Sequence, residues 1–332
     1  MARCANSLCP NGSPAVPIAP GRPATNCDAG WALTSTPLAP GDTNAVGRML
    51  GLLGDEWTLL IMQQALLGAR RYGDFIERLP ISHSVLTRRL VVAVQQDLLT
   101  RRQYQAGPPR FEYVPTERGL ALWPVLVSIW QWERQWVPDH AEALPAMRHG
   151  TCGQTFAPVL TCRGCGDRTD EKHLVAQWGP SGSWPRSMPV GTTRRRSHSD
   201  RGSQPDLFPQ TMGILGNRWA FAIMVAAFVG TTRFSDFTGQ LGAPPGSLAD
   251  RLQLLVGNAV LDTDGGAYRL TEKGRAVLPV ILTALAWAQR WYVAAEGPAV
   301  ELTHTACGTA FVAALACDQC NATLRGNHVK KD

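Results

Sequence analysis

The chain has 332 residues, of which 45% are hydrophobic, and a formal net charge of +6. This length suggests about two domains, and the basic balance agrees with a polyanionic partner. No apolar run reaches the ~20 residues that a membrane helix needs, and the N-terminus lacks the pattern of a secretory signal, so we expect a cytoplasmic protein.

The N-terminal segment, residues 1–42, is rich in Pro, Ala, Gly, Ser and Thr and has neither a helical nor a strand period. Such a composition buries too little apolar surface to offset the entropy of ordering, so we predict a disordered tail. Cys4, Cys9 and Cys27 lie in this tail and are expected to be unpaired thiols. In a cytoplasmic chain, the other six cysteines favour metal or redox chemistry over disulfides.

A first domain is predicted at residues 43–147. Apolar side chains at helical spacing predict helices over residues 45–53, 57–67 and 72–79, and from a Ser82 or Ser84 cap to about Gln96. A β-hairpin around Gly107 follows, and Thr116 is expected to cap one long helix that reaches about Val137. Helices, a capped basic helix and a hairpin in this order are typical of a winged helix-turn-helix domain.

The second half of the chain repeats the first. Residues 51–57 (GLLGDEW) return 162 residues later as residues 213–219 (GILGNRW), and residues 116–119 (TERG) return 155 residues later as residues 271–274 (TEKG). A repeat of this length is a whole domain, so we predict a second winged helix-turn-helix domain at residues 207–297. The smaller offset means that the second copy has lost seven residues around its hairpin.

Each predicted domain is followed by three cysteines and one histidine with the spacing H-x2-C-x9-C-x2-C. Nine residues between the pairs leave room for a short strand pair, and a Cys3His set is typical of a closed, tetrahedral structural zinc site. We predict about two structural zinc ions per chain, in knuckles at residues 148–170 and 298–325. The predicted ligand sets are His149, Cys152, Cys162 and Cys165, and His304, Cys307, Cys317 and Cys320.

Two other interpretations of these cysteines stay open, namely unliganded reduced thiols in a degenerate ribbon and a redox-active Cys-x2-Cys. His173, His198 and His328 do not fit the spacing and are expected to be solvated surface residues.

The segment between the first knuckle and the second domain, residues 171–206, contains Gly, Pro, Ser and the run Arg194-Arg195-Arg196. This composition predicts a flexible linker, and residues 326–332 are predicted to be a short tail. A linker of this length allows the two copies to pack as an intramolecular pseudo-dimer, with a homodimer as the alternative.

Several segments resemble the HxlR-type transcriptional regulators: LLGDEWTLLI at residues 52–61, GARRYGDF at 68–75, LTRRL at 86–90, PPRFEY at 108–113 and TERG at 116–119. In the second half the similar segments are LGNRW at 215–219, TRFSDF at 232–237, LADRL at 248–252 and TEKG at 271–274. The resemblance implies a DNA-binding repressor or activator, usually dimeric, that responds to small reactive compounds. Thr43 and Asn44 stand at the place of the family's N-terminal sensor cysteine.

The two copies differ in the residues that they offer to DNA. In the first copy, the groove-facing helix and the hairpin carry Ser82, His83, Ser84, Thr87, Arg88, Arg89, Arg101, Arg102 and Arg110. Residues 82–113 hold five arginines against two acids, whereas the equivalent residues 244–268 hold one against three, with Asp250 in place of Arg88. Arginine binds phosphate or a guanine edge, and aspartate is repelled by phosphate. We therefore expect the first copy to read double-stranded DNA and the second to be its pseudo-dimer partner or an effector domain.

The sequence lacks Gly-x-Gly-x-x-Gly, phosphate-loop and Gly-x-Ser-x-Gly motifs, so we do not expect an enzyme. Trp123, Trp130 and Trp287 are predicted to pack in a core or dimer interface, with a planar aromatic ligand as the alternative. The sequence therefore predicts a mainly α-helical chain with small β wings, in which two winged helix-turn-helix domains are each followed by a zinc-ribbon-like knuckle. A transcriptional regulator is the favoured function, and a zinc-dependent protein-interaction module without DNA binding is the alternative.

Overall fold

The computed structural model describes residues 35–137, 144–188 and 209–331. Most of the predicted tail, with its three cysteines, lies outside the described residues, as do the arginine run and His198 of the predicted linker. The described part is rich in helices and has small two- and three-stranded sheets. Within it, no helix combines the length and the apolar character that crossing a membrane requires.

The first winged helix-turn-helix domain contains the four predicted helices and the predicted hairpin in order, with an additional strand before them and two helices after them. Its elements are β1 (Thr36–Leu38), α1 (Ala45–Leu53), α2 (Glu56–Leu66), α3 (Tyr72–Arg78), α4 (His83–Gln95), β2 (Leu99–Gln105), β3 (Arg110–Pro115), α5 (Glu117–Leu120) and α6 (Trp123–Trp136). The side chain of Ser82 accepts a hydrogen bond from the backbone N–H of Val85 and starts α4. Thr116 starts α5 in the same way by accepting from Gly119.

The segment after α6 contains β4 (Met147–His149), β5 (Pro158–Cys162), a 3-10 helix (Glu171–His173), β6 (Leu174–Trp178) and α7 (Trp184–Ser187). The prediction of a flexible linker from residue 171 is therefore wrong as far as α7. Asn44, which caps α1, fastens this segment: its amide donates to the Ser181 carbonyl and the Ser187 hydroxyl, both at 3.0 Å. Polar side chains thus order a segment that its composition assigns to a linker.

The second domain repeats the first with a shorter wing. Its elements are α8 (Pro209–Ile214), α9 (Arg218–Phe228), α10 (Phe234–Leu241), α11 (Pro245–Gly257), β7 (Leu261–Asp264), β8 (Ala267–Leu270), α12 (Glu272–Arg275) and α13 (Leu278–Trp291). Gly265 and Gly266 join the two wing strands with φ of 55° and 76°. Positive φ at both positions is what a two-residue type I′ hairpin turn requires, and glycine readily adopts it. The seven missing residues therefore shorten the second wing.

The single long helix predicted from Thr116 is two helices, α5 and α6. Pro124 stands in the first turn of α6. Proline lacks the N–H that would continue the preceding turn, but it fits the start of a helix. Pro279 divides α12 from α13 in the same way, so the repeat preserves this break.

The two copies pack about a pseudo-twofold axis. Trp132 on α6 donates its indole N–H to the carbonyl of Lys273 at 3.0 Å, and its counterpart Trp287 on α13 donates to the carbonyl of Arg118 at 3.0 Å. Such reciprocal contacts between equivalent residues are typical of a C2 interface. Trp287 is thus buried between the copies, as predicted.

The strand β1 falls within the predicted disordered tail, which corrects the boundary of that tail. β1 pairs in parallel with β9 (Tyr292–Ala294), which follows α13 of the second copy, and its Leu38 is buried. The N-terminal edge of the first copy is thus attached to the second copy.

The C-terminal strands of the two copies are exchanged. The second copy ends with β10 (Val300–His304), β11 (Thr309–Ala310), β12 (Ala313–Cys317), a 3-10 helix (Gly326–His328) and β13 (Val329–Lys331). β4 pairs with β13, β5 with β12, and β6 with β10, all antiparallel. Each pair joins one copy to the other, so the predicted separate knuckles and the predicted tail at residues 326–332 are corrected to one shared β region.

This shared region has its own small apolar core. Leu160 on β5 pairs with its own counterpart, Leu315 on β12, so the pseudo-twofold axis passes between them. Both leucines cluster with Val127 of α6 and with Leu278 and Leu282 of α13. The β region therefore packs on the two long helices together.

Candidate nucleic-acid interface and candidate metal centres

The first recognition helix, α4, presents a polar face to solvent. Leu86 and Leu90 are fully buried in the domain, which fixes the orientation of the helix. The exposed residues at its N-terminal end are Ser82, His83, Ser84, Thr87 and Arg88. Among the described residues, Arg88 has no ion-pair partner, so its guanidinium group remains available for a ligand.

The start of α4 is held in place by α3. The ring of Tyr72 stacks on His83 with centroids 5.8 Å apart, and its hydroxyl donates to the His83 carbonyl at 3.0 Å. Thr87 also donates its hydroxyl to that carbonyl, at 2.9 Å. Tyr72 lies in the GARRYGDF segment but is not among the predicted site residues.

Arg89 lies apart from the exposed residues of α4. Its Nη2 atom is 2.7 Å from Oδ2 of Asp55, and both side chains are less than one-fifth exposed. Asp55 also caps α2 by accepting from the backbone N–H of Thr58. Arg89 therefore connects the recognition helix to α2, and its geometry is that of a packing residue.

The three arginines of the first wing differ in their surroundings. The Arg101 guanidinium carbon lies 3.5 Å from the centroid of the Phe111 ring, and Arg102 donates from Nε to Glu112 at 2.7 Å. Arg110 is exposed at the start of β3. In the described ranges neither Arg101 nor Arg110 forms an ion pair, so these two supply the uncompensated positive charge of the wing.

The second copy presents a different face at the equivalent places. Asp250 is exposed on α11 where the first copy has Arg88, and Asp262 and Asp264 are exposed on β7. Gly246 replaces Ser84 and offers no side chain. This face is negatively charged where that of the first copy is positively charged.

Two groups of three cysteines and one histidine form candidate metal centres. In each group the four ligand atoms lie within 4.8 Å of one another. Centre one contains His149, Cys152, Cys317 and Cys320, and centre two contains Cys162, Cys165, His304 and Cys307. All eight predicted ligands are thus brought into two sets, but the predicted grouping within each copy is wrong: each centre takes two ligands from each copy.

The direction of the strands explains this grouping. Cys162 stands at the far end of β5. An extended strand rises ~3.3 Å per residue, so the five residues of β5 carry Cys162 away from Cys152 of the same copy. Antiparallel pairing places Cys317, at the end of β12, opposite Pro158 at the start of β5, and Cys162 opposite Ala313. Each cysteine at a strand end therefore meets the His-x2-Cys pair of the other copy.

The interatomic distances fit a tetrahedral ion. With Zn–S near 2.3 Å and Zn–N near 2.0–2.1 Å, tetrahedral angles place two sulfurs ~3.8 Å apart and a nitrogen and a sulfur ~3.6 Å apart. In centre one, the Sγ atoms of Cys152 and Cys317 are 3.9 Å apart, and His149 Nδ1 lies 3.4 Å from Cys152 Sγ and 3.3 Å from Cys320 Sγ. The donors therefore already stand close to their positions around a metal.

Hydrogen bonds favour the thiolate form of one cysteine in each centre. The Thr309 hydroxyl and backbone N–H, followed by the His304 ring, lower the pKa of Cys307 to about 6. A backbone hydrogen bond from Ala322 lowers the pKa of Cys320. Metal ligation requires deprotonated sulfur, which these two cysteines favour. The pKa of Cys165 is raised to about 11 and that of Cys317 is also raised, so each centre also contains a thiol that must lose its proton when the metal binds.

Comparison with known proteins identifies the repeated domain. The model of the HxlR-like helix-turn-helix family matches residues 52–141 and 214–296. An uncharacterised HTH-type transcriptional regulator of Mycobacterium tuberculosis (strain H37Rv) is 36% identical over 136 residues, which cover 41% of this chain and 86% of the relative. A second one, from Synechocystis, is 31% identical over 97 residues, covering 29% of this chain and 72% of the relative.

Among solved structures, a putative transcription factor from Pseudomonas aeruginosa is 29% identical, with a TM-score of 0.33, over 43% of this chain and 97% of its own.

The two matches to the family model together cover more than half of the 332 residues. The chain is therefore a member of the HxlR-like helix-turn-helix family, a DNA-binding transcriptional regulator that carries the family's domain twice.

Proposed function

We propose that the first copy reads double-stranded DNA in a sequence-specific manner and that the second copy is its pseudo-dimer partner. One observation carries this proposal: the exposed recognition-helix position that holds Arg88 in the first copy holds Asp250 in the second. Arginine donates two hydrogen bonds to a guanine edge in the major groove. Aspartate at the same place adds repulsion from the phosphates.

The neighbouring side chains extend this surface. Ser84 and Thr87 are exposed beside Arg88. The Ser84 hydroxyl can donate to a base or a phosphate, and the Thr87 hydroxyl, which donates to the His83 carbonyl, can accept from a base. The cations of Arg101 and Arg110 stand on the wing. Phosphate contacts position a protein on the duplex, and base contacts select the sequence. In this proposal α4 selects the sequence and the wing supplies affinity.

The experiment compares Arg88→Ala with Asp250→Ala, its matched control in the second copy. We expect Arg88→Ala to weaken binding to the cognate promoter fragment by about 1–3 kcal/mol and to reduce the preference for that fragment over scrambled DNA. Asp250→Ala should leave affinity unchanged or slightly higher, because it removes a negative charge. Fluorescence titrations at two salt concentrations measure both effects.

Equal losses in the two variants would mean that both copies read DNA. If Arg88→Ala weakened cognate and scrambled fragments alike, Arg88 would contact only phosphate, and sequence selection would belong to other residues.

We further propose that zinc is the metal of both centres and that its role is structural. Four protein ligands fill a tetrahedral shell and leave no position for a substrate, and three sulfurs with one imidazole are a zinc-type donor set. Elemental analysis of the purified chain should find about two zinc ions per chain. Much less than one zinc per chain, with all thiols freely reactive, would overturn this assignment.

A further inference from the structure

We propose that the two metal ions are clasps between the two copies, so that metal loading stabilises the association of the two winged helix-turn-helix domains. This inference rests on the proposed zinc assignment. A knuckle closed within one copy would stabilise only that copy. A centre that takes half of its ligands from each copy stabilises their association.

The ligand atoms support a clasp in both centres. In centre one, the Cys152 sulfur of the first copy lies 3.9 Å from the Cys317 sulfur of the second. In centre two, the Cys165 sulfur of the first copy lies 3.4 Å from Nδ1 of His304 in the second. The two contacts belong to different centres, so the crossing occurs twice.

Burial adds to this argument. His149 and Cys317, the most buried ligands of centre one, are both fully buried and come from different copies. Cys162 and His304 are the corresponding pair of centre two, with exposures of 0% and 1%. The inner half of each centre is therefore built where the copies meet, beside the Leu160–Leu315 pair.

The energetic consequence follows from the coupling of metal binding to folding. Where ligands converge only in the folded state, the free energy of metal binding contributes to folding. Here the ligands converge only when β5 and β12 are paired across the copies. Metal binding therefore stabilises the β region that covers α6 and α13, and metal loss should release it.

The experiment uses two double variants of the full chain that differ only in which copy loses its second cysteine. One is Cys152→Ser with Cys320→Ser, and the other is Cys152→Ser with Cys165→Ser. Cys165 and Cys320 are equivalent in the repeat and both exposed, so they are matched in position and surroundings. Zinc per chain is measured after gel filtration, and circular dichroism checks the fold.

For clasps between copies, the first variant loses two ligands of centre one and keeps centre two, so it should hold about one zinc. The second variant damages both centres and should hold close to none. Knuckles within each copy predict the reverse result. The reverse result, or equal zinc content in the two variants, would overturn the clasp.

A mirrored pair repeats the test in case one variant fails to fold. Cys307→Ser with Cys165→Ser should keep about one zinc, because both residues belong to centre two, and Cys307→Ser with Cys320→Ser should keep almost none. A wild-type chain without metal would overturn the zinc assignment and the clasp together. Two zinc ions in the wild type with reversed variants would overturn the clasp alone.

Discussion

At the scale of single residues, two glycines allow the copies to meet. Gly54 and Gly216 are equivalent, and each follows the first helix of its copy. A Cβ on Gly54 would lie 2.7 Å from Cα of Arg218, and a Cβ on Gly216 would lie 2.7 Å from Cβ of Glu56. Asp55 and Asn217, the next residues, form a β-bridge to each other. Backbone thus meets backbone at the pseudo-twofold axis, where no side chain fits.

We therefore predict that Gly54→Ala destabilises the chain. The added methyl group would meet the Leu50 carbonyl oxygen of its own copy and the Arg218 backbone of the other copy. Overpacking of this kind costs about 1–3 kcal/mol. Urea unfolding followed by circular dichroism measures the change in the free energy of unfolding.

The control is Gly239→Ala in α10, where a Cβ would meet nothing within 4 Å. Alanine is the better helix former, so this variant should be neutral or more stable by up to about 1 kcal/mol. A Gly54→Ala chain as stable as the Gly239→Ala chain would contradict the close approach at the axis.

At the scale of elements, the sequence predicts the order of helices and strands because each has a local signal. Thr116 is predicted as a cap and serves as one, and of the two predicted candidates Ser82 and Ser84 it is Ser82 that caps α4. Leu86 and Leu90 of α4 are buried, and the polar residues predicted to face DNA at its N-terminal end are exposed. The break at Pro124 also has a local signal, because proline fits the first turn of a helix but not its interior, although the predicted helix runs through it.

The grouping of the metal ligands could not be predicted from spacing. Both copies have the same spacing, so either His-x2-Cys pair fits either Cys-x2-Cys pair equally well. The choice depends on the partner of β5, which is a contact between residues far apart in the chain. The sequence offers one local hint. Residues 159–162 contain neither glycine nor proline, so no turn is expected there that would bring Cys162 back to Cys152 within the same copy.

The boundaries of the predicted tail and linker are wrong for a related reason. Segments with a composition typical of a linker are ordered here by partners from elsewhere in the chain. Thr36–Leu38 pairs with β9, and Arg186 forms an ion pair with Glu296 at 2.8 Å. Composition indicates whether a segment can fold on its own. It does not show whether contacts with the second copy order that segment.

At the scale of the whole molecule, both halves of the interface belong to one chain. The reciprocal Trp132 and Trp287 contacts, the exchanged strands and the bridge at Asp55 are all satisfied intramolecularly. Linking two binding modules makes their association independent of protein concentration. We infer that the chain acts as an intramolecular pseudo-dimer.

This inference predicts a single-chain species in solution. Light scattering coupled to gel filtration should give a mass close to the 36.0 kDa of one chain over a wide range of concentrations. A stable species of twice that mass would show that the chain forms a homodimer, with strands exchanged between chains or with a further interface.

Asp250 occupies in the second recognition helix the position that Arg88 occupies in the first. This difference affects the symmetry of the DNA sequence that the chain binds. A homodimer of identical chains shows the same recognition helix to both half-sites, which is why such proteins bind palindromic operators. In this chain the two recognition helices are separate segments of one sequence, so a substitution in one leaves the other unchanged. At this position they already carry opposite charges. The cognate operator should therefore lack dyad symmetry, and a genome search limited to inverted repeats would miss it.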